Sequence, residues 1–172
     1  MDVPATSRTA SFGHLGGVYR EQMTLKPGDE APNFTLLDQK GNQVKLSDFQ
    51  GRRVLVYFYP KADTPGCTTQ ACGLRDAADR IGDTAVLGIS PDPPRAQAAF
   101  DLKYGLGFTL LADEDHAVAD AYGVWGEKSM YGRKYFGIIR SAFLVDASGR
   151  IEQAWYRISP ADTAKRLLAA VA

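Results

Sequence analysis

The feature that most constrains the fold is an apolar run that passes through a short turn into a helix. Residues 54–59 (VLVYFY) are β-branched, aliphatic or aromatic, which is typical of a strand buried on both faces of a parallel or mixed sheet. Beyond the turn, apolar positions are spaced alternately by four and three residues: Cys67, Ala71, Leu74, Ala78 and Ile81. That spacing predicts a helix with one buried face, ended by Gly82 and Asp83. A buried strand followed by such a helix predicts an α/β fold.

Strands and helices alternate along the rest of the chain. Apolar runs at 84–90 and 108–111 predict two more buried strands. The turn residues 38–42 and 147–149 each separate two short strands, which predicts a hairpin near each end. Polar residues placed as N-caps predict where three helices begin: Asp92, either Asp113 or Asp115, and Ser159. The sequence therefore predicts a central mixed sheet flanked by helices, with an N-terminal β-hairpin.

The first residues of the chain differ in character from the remainder. Residues 1–24 are small, polar and rich in glycine, and they show no sustained apolar periodicity. We expect them to form a flexible tail, which is either a natural extension or a cloning remnant. Patterned sequence begins at Leu25, so we expect one domain over residues 25–172.

Charge and cysteine content argue against several classes of function. The chain has 20 Lys and Arg residues against 20 Asp and Glu residues, so no overall field would draw it onto nucleic acid or an acidic membrane. It shows neither an apolar run near the roughly 18 residues of a membrane span nor a secretory signal pattern. Two cysteines are too few for a disulfide framework. We therefore expect a cytoplasmic enzyme that binds neither nucleic acid nor membrane.

The two cysteines, Cys67 and Cys72, are placed for thiol chemistry. Cys67 follows Pro65 and Gly66 on the first turn of the predicted helix, where unpaired backbone N–H groups and the helix dipole stabilise a thiolate. In an unbroken helix, residues five apart have Cα atoms roughly 8 to 9 Å apart, whereas a disulfide requires about 7 Å or less. The helix must therefore open before these cysteines can join, and Pro65, Gly66 and Gly73 favour local opening.

Other interpretations of the cysteines are open at this point. Cysteine is among the most buried residue types, so two inert core thiols are the simplest alternative. A metal site is disfavoured because C-x4-C is not a usual zinc spacing and only His14 and His116 could add ligands. The chain lacks the C-x-x-C motif of thioredoxin-type oxidoreductases, a P-loop and a complete dinucleotide-binding glycine motif. We expect neither a metal nor a cofactor.

At these residues the chain resembles a known family. Pro60, Thr64 and Cys67 match the peroxiredoxin signature P-x-x-x-[TS]-x-x-C at every defined position, and the fuller stretch 57–72 resembles the peroxiredoxin Q, or bacterioferritin comigratory protein, branch. The resemblance runs from about Leu25 to the C-terminus. Separate blocks support it in the right order, at residues 28–34, 88–92, 126–132 and 139–143.

The resemblance implies a thioredoxin-like fold and a function in antioxidant defence, the reduction of hydrogen peroxide and organic hydroperoxides. It implies that Cys67 is the peroxidatic cysteine, which becomes a sulfenic acid, and that Cys72 resolves it as an intramolecular disulfide. Thr64 matches the hydroxyl that bonds the thiolate and peroxide, Pro60 the residue that shields the thiolate, and Arg140 the active-site arginine. A thioredoxin-type dithiol donor would then reduce the disulfide.

Two alternatives from other classes are a thiol switch or holdase, in which the same disulfide regulates partner binding, and an inert α/β binding domain. Pro60, Thr64, Cys67 and Arg140 together favour the enzyme, because a switch has no need of a hydroxyl and an arginine around a peroxide. An intrachain resolving cysteine favours a monomer, with a weak dimer as the alternative.

Trp125 and Tyr131 lie in the Gly-rich stretch 123–137. They belong either to an access loop or docking surface, or to packing under a long loop. The sequence does not favour one over the other.

Overall fold

The apolar run of the sequence forms a central strand of a seven-stranded sheet. In the computed structural model, which describes residues 24–172, the strands are β1 Thr35–Asp38, β2 Gln43–Lys45, β3 Val54–Phe58, β4 Ala85–Ser90, β5 Thr109–Ala112, β6 Trp125–Met130, β7 Arg133–Ile138, β8 Ser141–Val145 and β9 Ile151–Trp155. The helices are α1 Pro65–Asp76, α2 Pro94–Tyr104, α3 Ala117–Ala121 and α4 Asp162–Val171. Of the predicted tail, only Thr24 lies within the described residues. Within residues 24–172, no helix combines the length and the apolar character needed to cross a membrane.

The sheet is mixed, as predicted. Its strand order is β2-β1-β5-β4-β3-β8-β9, with β3, β4 and β5 mutually parallel and β1 and β8 antiparallel to their neighbours. The two predicted hairpins, β1–β2 and β8–β9, form its two edges. Because Ser141 at the start of β8 pairs with Phe58 at the end of β3, residue 140 lies beside the turn that leads into α1.

Each face of the sheet has its own apolar core. Successive side chains of β3 point to opposite faces. Leu55 and Tyr57 face the core that contains side chains of α1, α2 and α4, whereas Val56 and Phe58 face the core that contains side chains of α3. Tyr57 requires a glycine beside it, because a Cβ on Gly88 would lie 2.8 Å from its ring and hydroxyl.

The helix that carries the cysteines ends earlier than predicted. α1 stops at Asp76, and Ala78–Arg80 form a tighter 3-10 turn. The N–H of Ala77 is shared between two carbonyls of the preceding turn, each at 3.2 Å, which tightens the end of the helix. As a result Ala77 is buried and Ala78 is exposed, so the prediction that Ala78 lies on the buried stripe is wrong; Ile81 is buried as predicted.

Asp92 does not cap the helix that comes after it. α2 begins at Pro94, after Pro93 in an extended conformation, and is followed by Gly105 in the left-handed conformation. The two prolines lack backbone N–H groups, so the start of α2 offers Asp92 no nearby donor to cap. Its carboxylate instead accepts hydrogen bonds from Ala62 and Ser90.

The other residues predicted as caps bond to backbone N–H groups near the helix starts, but the N-cap positions themselves are His116 for α3 and Ala161 for α4. Asp113 and Asp115 both accept hydrogen bonds from backbone N–H groups at the start of α3. Ser159 accepts one from the N–H of Asp162 at 3.2 Å, although α4 begins at Asp162, two residues later than predicted.

Residues 125–138 form a β-hairpin that the sequence did not predict. β6 and β7 pair antiparallel, and the turn between them places Tyr131 and Gly132 at positive φ, 52° and 76°. Trp125 is half-buried against the core and stacks on His116, with ring centroids 3.8 Å apart. Tyr131, at the turn, is 98% exposed. Trp125 is therefore a packing residue, whereas Tyr131 projects from the surface.

Candidate active site

The turn after β3 places Cys67 on the first turn of α1. Thr64 is the N-cap, with an extended backbone (φ −103°, ψ 158°), and Pro65 occupies the first helical position, where a missing N–H is tolerated. The side chain of Cys67 points toward the sheet and is 1% exposed, as the stripe of apolar residues predicts. The sulfur therefore lies at the N-terminal end of a helix and away from bulk water.

Arg140 reaches the sulfur of Cys67 from the segment between β7 and β8. Its Nη1 and Nη2 atoms donate to Sγ at 3.6 and 3.5 Å, although the two residues are 73 positions apart in the chain. A guanidinium does not deprotonate at working pH. The structure thus brings two of the predicted site residues together and holds a permanent positive charge against the sulfur.

Gly66 makes room for this guanidinium. A Cβ at Gly66 would lie 3.1 Å from Nη2 of Arg140 and 3.5 Å from Pro160. The sequence indicates only that Gly66 belongs to the turn, because nothing local to it shows which side chain arrives from the distant segment between β7 and β8.

Gln70, which was not predicted to belong to the site, orients Arg140. Its side-chain oxygen accepts a hydrogen bond from Nη1 of Arg140 at 2.6 Å, and its nitrogen donates to the hydroxyl of Thr163 in α4 at 3.0 Å. Thr163 in turn donates to the carbonyl of Ser159 at 3.1 Å. Gln70 and Thr163 are fully buried. A polar residue three positions after Cys67, on the same helix face, was the available signal.

Thr64 and Pro60 lie on the connection that leads from β3 into α1. The Thr64 hydroxyl donates to the carbonyl of Lys61 at 2.8 Å, which leaves its oxygen able to accept a further hydrogen bond. Pro60 is half-buried and directly follows the last buried residue of the β3 run, Tyr59. Both residues therefore belong to the connection between β3 and the helix that carries Cys67.

The second cysteine lies on the same continuous helix. Cys72 is half-buried and packs at the edge of the core that contains Cys67, so it is the more exposed of the two, as predicted. Both are free thiols. Helix geometry separates their Cα atoms by roughly 8 to 9 Å, which is beyond disulfide reach.

A second cation lies near the sulfur. The ammonium of Lys128 in β6 donates to the carbonyl of Ile138 at 2.8 Å, two residues before Arg140. Burial, followed by the nearby Arg140, lowers the pKa of Lys128, while Cys67 acts in the opposite direction. Lys128 lies within one of the sequence blocks that support the family resemblance, but the sequence alone indicates no role for it.

The surroundings of Cys67 on the sheet side are aromatic. Tyr57 and Tyr59 stack with ring centroids 5.5 Å apart and belong to the same buried cluster as Cys67. Burial first, and then the neighbouring Tyr59 and Cys67, raises the pKa of Tyr57 well above its usual range, so Tyr57 stays neutral. Such surroundings strengthen the attraction between Arg140 and a charged sulfur, because little water screens it.

Known proteins match the chain over most of its length. Residues 27–154 match the AhpC/TSA family, and the chain belongs to that family. Over 130 residues it is 61% identical to peroxiredoxin Bcp of Escherichia coli K12, covering 74% of this chain and 83% of the relative.

Solved structures narrow the class further. One is the bacterioferritin comigratory protein of Xanthomonas campestris, whose trapped-intermediate and ligand-complex structures address its alkyl peroxide reduction activity. Its structure matches this one with a TM-score of 0.77 at 33% sequence identity, and the match covers 87% of this chain and 96% of that chain. Another is peroxidoxin BcpB of Mycobacterium tuberculosis, with a TM-score of 0.75 at 32% identity, over 86% of this chain and 96% of that one. The predicted thioredoxin-like fold and the resemblance to the peroxiredoxin Q branch are confirmed. The chain is a thiol peroxidase, an oxidoreductase.

Proposed function

We propose that this protein reduces hydrogen peroxide and organic hydroperoxides through a cycle of its two cysteines. The Cys67 thiolate attacks one peroxide oxygen, the O–O bond breaks, and the sulfur becomes a sulfenic acid. The other oxygen takes up a proton and leaves as water or alcohol. The observation that carries the proposal is the pair of contacts from Arg140 to the Cys67 sulfur, at 3.5 and 3.6 Å.

Each residue around the sulfur has a role in this step. Arg140 stabilises the thiolate before the reaction and the negative charge that develops on the leaving oxygen during it. Thr64, at the N-cap, accepts a hydrogen bond from the peroxide while its hydroxyl donates to the Lys61 carbonyl, and it donates to the thiolate once that hydroxyl turns away from Lys61. Pro60 shields the thiolate from water. Gln70 acts on Arg140 rather than on the peroxide, since its contact is with the guanidinium.

Cys72 resolves the sulfenic acid. Its thiol sulfur attacks the sulfur of Cys67, the S–O bond breaks, and water leaves as the intramolecular disulfide forms. Because α1 holds the two cysteines too far apart, the helix opens for this step. Oxidation favours opening, since a neutral sulfenic acid is bound less strongly than a thiolate by the charged Arg140.

A thioredoxin-type dithiol then reduces the disulfide by thiol–disulfide exchange, which restores both thiols and oxidises the donor. Such a cycle requires a reducing compartment, which is the basis for placing the protein in the cytoplasm. Since both cysteines of the cycle lie in one chain, a monomer suffices, and a weak dimer is compatible with the same chemistry.

Peroxide consumption with thioredoxin, thioredoxin reductase and NADPH tests the proposal. We expect turnover by the wild type and none by Cys67→Ser. Cys72→Ser should complete one turnover and stall with Cys67 as a sulfenic acid, unless an outside thiol is supplied. Undiminished turnover by Cys67→Ser would refute the assignment, and normal cycling by Cys72→Ser would show that Cys72 is not the resolving residue.

The rival function is a thiol switch or holdase, and the same assay separates it from the enzyme. A switch forms the disulfide once per oxidation event and gives no sustained NADPH consumption that scales with protein concentration. The contact of Arg140 with Cys67 favours the enzyme, because a switch does not require a charge aimed at the reacting sulfur.

A further inference from the structure

The loop between β3 and α1 is fastened to α2 by an exposed carboxylate. Asp63 accepts two hydrogen bonds from the ammonium of Lys103, at 2.9 and 3.1 Å, and one from the hydroxyl of Tyr104 at 2.8 Å. Lys103 and Tyr104 are the last two residues of α2. The bonds to Lys103 and Tyr104 lower the pKa of Asp63, and the bond to Asp63 raises the pKa of Lys103, so both groups stay charged near neutral pH. We refer to these three residues as the loop latch.

The latch lies at a strained point of the backbone. Asp63 has a φ of 58°, in the left-handed region that residues other than glycine adopt at some cost. It directly precedes Thr64, the N-cap of α1. A residue in such a conformation depends on surrounding contacts to remain there. The latch contacts therefore bear directly on where the first turn of α1 begins.

One residue earlier, the same loop is attached by a partly buried hydrogen-bond network. The N–H of Ala62 donates to the carboxylate of Asp92 at 2.7 Å, and the same oxygen accepts a hydrogen bond from the hydroxyl of Ser90 at 2.7 Å. Ser90 also accepts one at 2.8 Å from Gln97, which is fully buried. Ala62 is thus fixed by a partly buried network that ends on the buried Ser90 and Gln97, whereas Asp63 is held by exposed groups. The loop is therefore held more strongly at Ala62 than at Asp63, the next residue.

We propose that the loop latch sets how readily the first turn of α1 opens once Cys67 has been oxidised, with Ala62 as the fixed point about which it opens. The inference rests on the proposed cysteine cycle. With the latch closed, Cys67 stays beside Arg140 and reacts with peroxide. With it open, the Cys67 sulfenic acid reaches the Cys72 thiol, the S–S bond forms, the S–O bond breaks and water leaves. A latch that stays closed too long exposes the sulfenic acid to a second peroxide molecule, which oxidises it to a sulfinic acid and leaves as water or alcohol.

Asp63→Asn tests this role, because asparagine tolerates the left-handed conformation but offers Lys103 no charge. Rapid mixing with hydrogen peroxide, acid quenching and intact-mass spectrometry separate the sulfenic acid, the disulfide and the sulfinic acid. We expect disulfide formation to be about twofold to fivefold faster, because one exposed ion pair contributes only a small stabilisation. The fraction of protein with Cys67 as a sulfinic acid should fall accordingly. The oxidation of Cys67 itself should change by less than about twofold.

Two further sets of variants make the test specific. Asp79→Asn is the matched control, because it removes an exposed ion pair, with Arg80, on the turn that follows the other end of the same helix, and it should leave both steps unchanged. Lys103→Met should reproduce the effect of Asp63→Asn, whereas Lys103→Arg keeps the charge and should stay close to the wild type.

Either of two results would contradict the proposed role of the loop latch. One is an equal rate of disulfide formation in Asp63→Asn and the wild type. The other is a slowing of both Cys67 oxidation and disulfide formation by the same factor. The second pattern is what a purely structural role produces. The cycle and the latch fail in different ways. A wild type that consumes no peroxide contradicts the cycle, while a wild type that cycles through the disulfide, matched by Asp63→Asn, contradicts only the latch.

Discussion

The two halves of α1 are attached to the rest of the molecule by different balances of contact, mainly polar in the first half and mainly apolar in the second. Arg140 donates hydrogen bonds to Cys67 and Gln70, and Gln70 continues to Thr163 of α4. The second half is held mainly by small and apolar side chains, of which the buried Leu74 is the largest, although Arg75 also donates a hydrogen bond to the carbonyl of Tyr104 at 2.6 Å. Polar contacts to sulfur depend on its charge, whereas apolar packing does not. Under the proposed cycle, oxidation therefore loosens the first half of the helix and leaves the second in place.

The largest effect is expected from Arg140→Lys, which weakens the contact between the cation and the sulfur of Cys67. Lysine offers a point charge in place of a planar fork with two donors on the sulfur, so we expect Cys67 oxidation by hydrogen peroxide to slow by about 10²-fold. Stopped-flow kinetics under single-turnover conditions measure this step. Arg53→Lys, at the Arg53–Glu152 ion pair, is the control and should react at the wild-type rate. A loss no greater than that of the control would mean that Arg140 does not act on the reacting sulfur.

Gly66→Ala is expected to have the next largest effect. The added Cβ would lie 3.1 Å from Nη2 of Arg140, so the guanidinium must shift by a few tenths of an ångström. We expect Cys67 oxidation to slow by about tenfold, because catalytic groups tolerate little displacement. Single-turnover kinetics with hydrogen peroxide give the rate, and far-UV circular dichroism checks that the helix is intact. Wild-type kinetics in the variant would show that Arg140 has another equally productive position.

Much of this site could be predicted from the sequence, because the residues that indicate it lie within one short stretch of the chain. The strand-to-helix turn and the apolar spacing place Cys67 toward the sheet and Cys72 nearer to solvent, as observed. Arg140 was found through the resemblance and not through any local pattern. The roles of Gly66 and Gln70 depend on how Arg140 approaches from 70 or more positions away, and the sequence carries no such distance information.

The misses in the fold have a similar origin. α1 was predicted to run toward Gly82, the next strong breaker, but it ends at Asp76 through a shift in the hydrogen bonding of Ala77 that no residue type marks. The β6–β7 hairpin escaped prediction because both strands are largely exposed and mix polar with aromatic residues, without the alternation that marks a half-buried strand.

Gly73→Ala asks whether the second half of α1 stays folded during resolution. A Cβ there would make an ordinary contact of 3.6 Å with Ala164, and alanine favours a helix interior over glycine by roughly 0.5 to 1 kcal/mol. We expect higher stability in urea unfolding, with both single-turnover steps within about twofold of the wild type. This difference in helix stability corresponds to a roughly twofold to fivefold change in rate. If disulfide formation slowed by that factor, the second half of the helix would have to open as well, and the two halves would not differ in the way described above.

The smallest effect concerns the pH dependence of stability at the loop latch, just ahead of the first half. Hydrogen bonds from Lys103 and then Tyr104 lower the pKa of Asp63, so its contribution is present above the unfolded value of about 3.9 and is lost as pH falls through the lower folded value. The bond to Asp63 raises the pKa of Lys103, so that contribution is present below about 10.4 and is lost as pH rises through the folded value.

The difference in thermal midpoint between the wild type and Asp63→Asn should therefore be constant from about pH 4 to pH 10 and shrink on either side. We expect it to be less than about 4 °C, since the pair is exposed. A scanning calorimetry series across pH, repeated at high salt, measures it. A difference that persists unchanged at low pH would show that the charge of Asp63 contributes nothing, whereas a much larger difference would mean that the first half of α1 depends on the latch as much as on its buried contacts with Arg140.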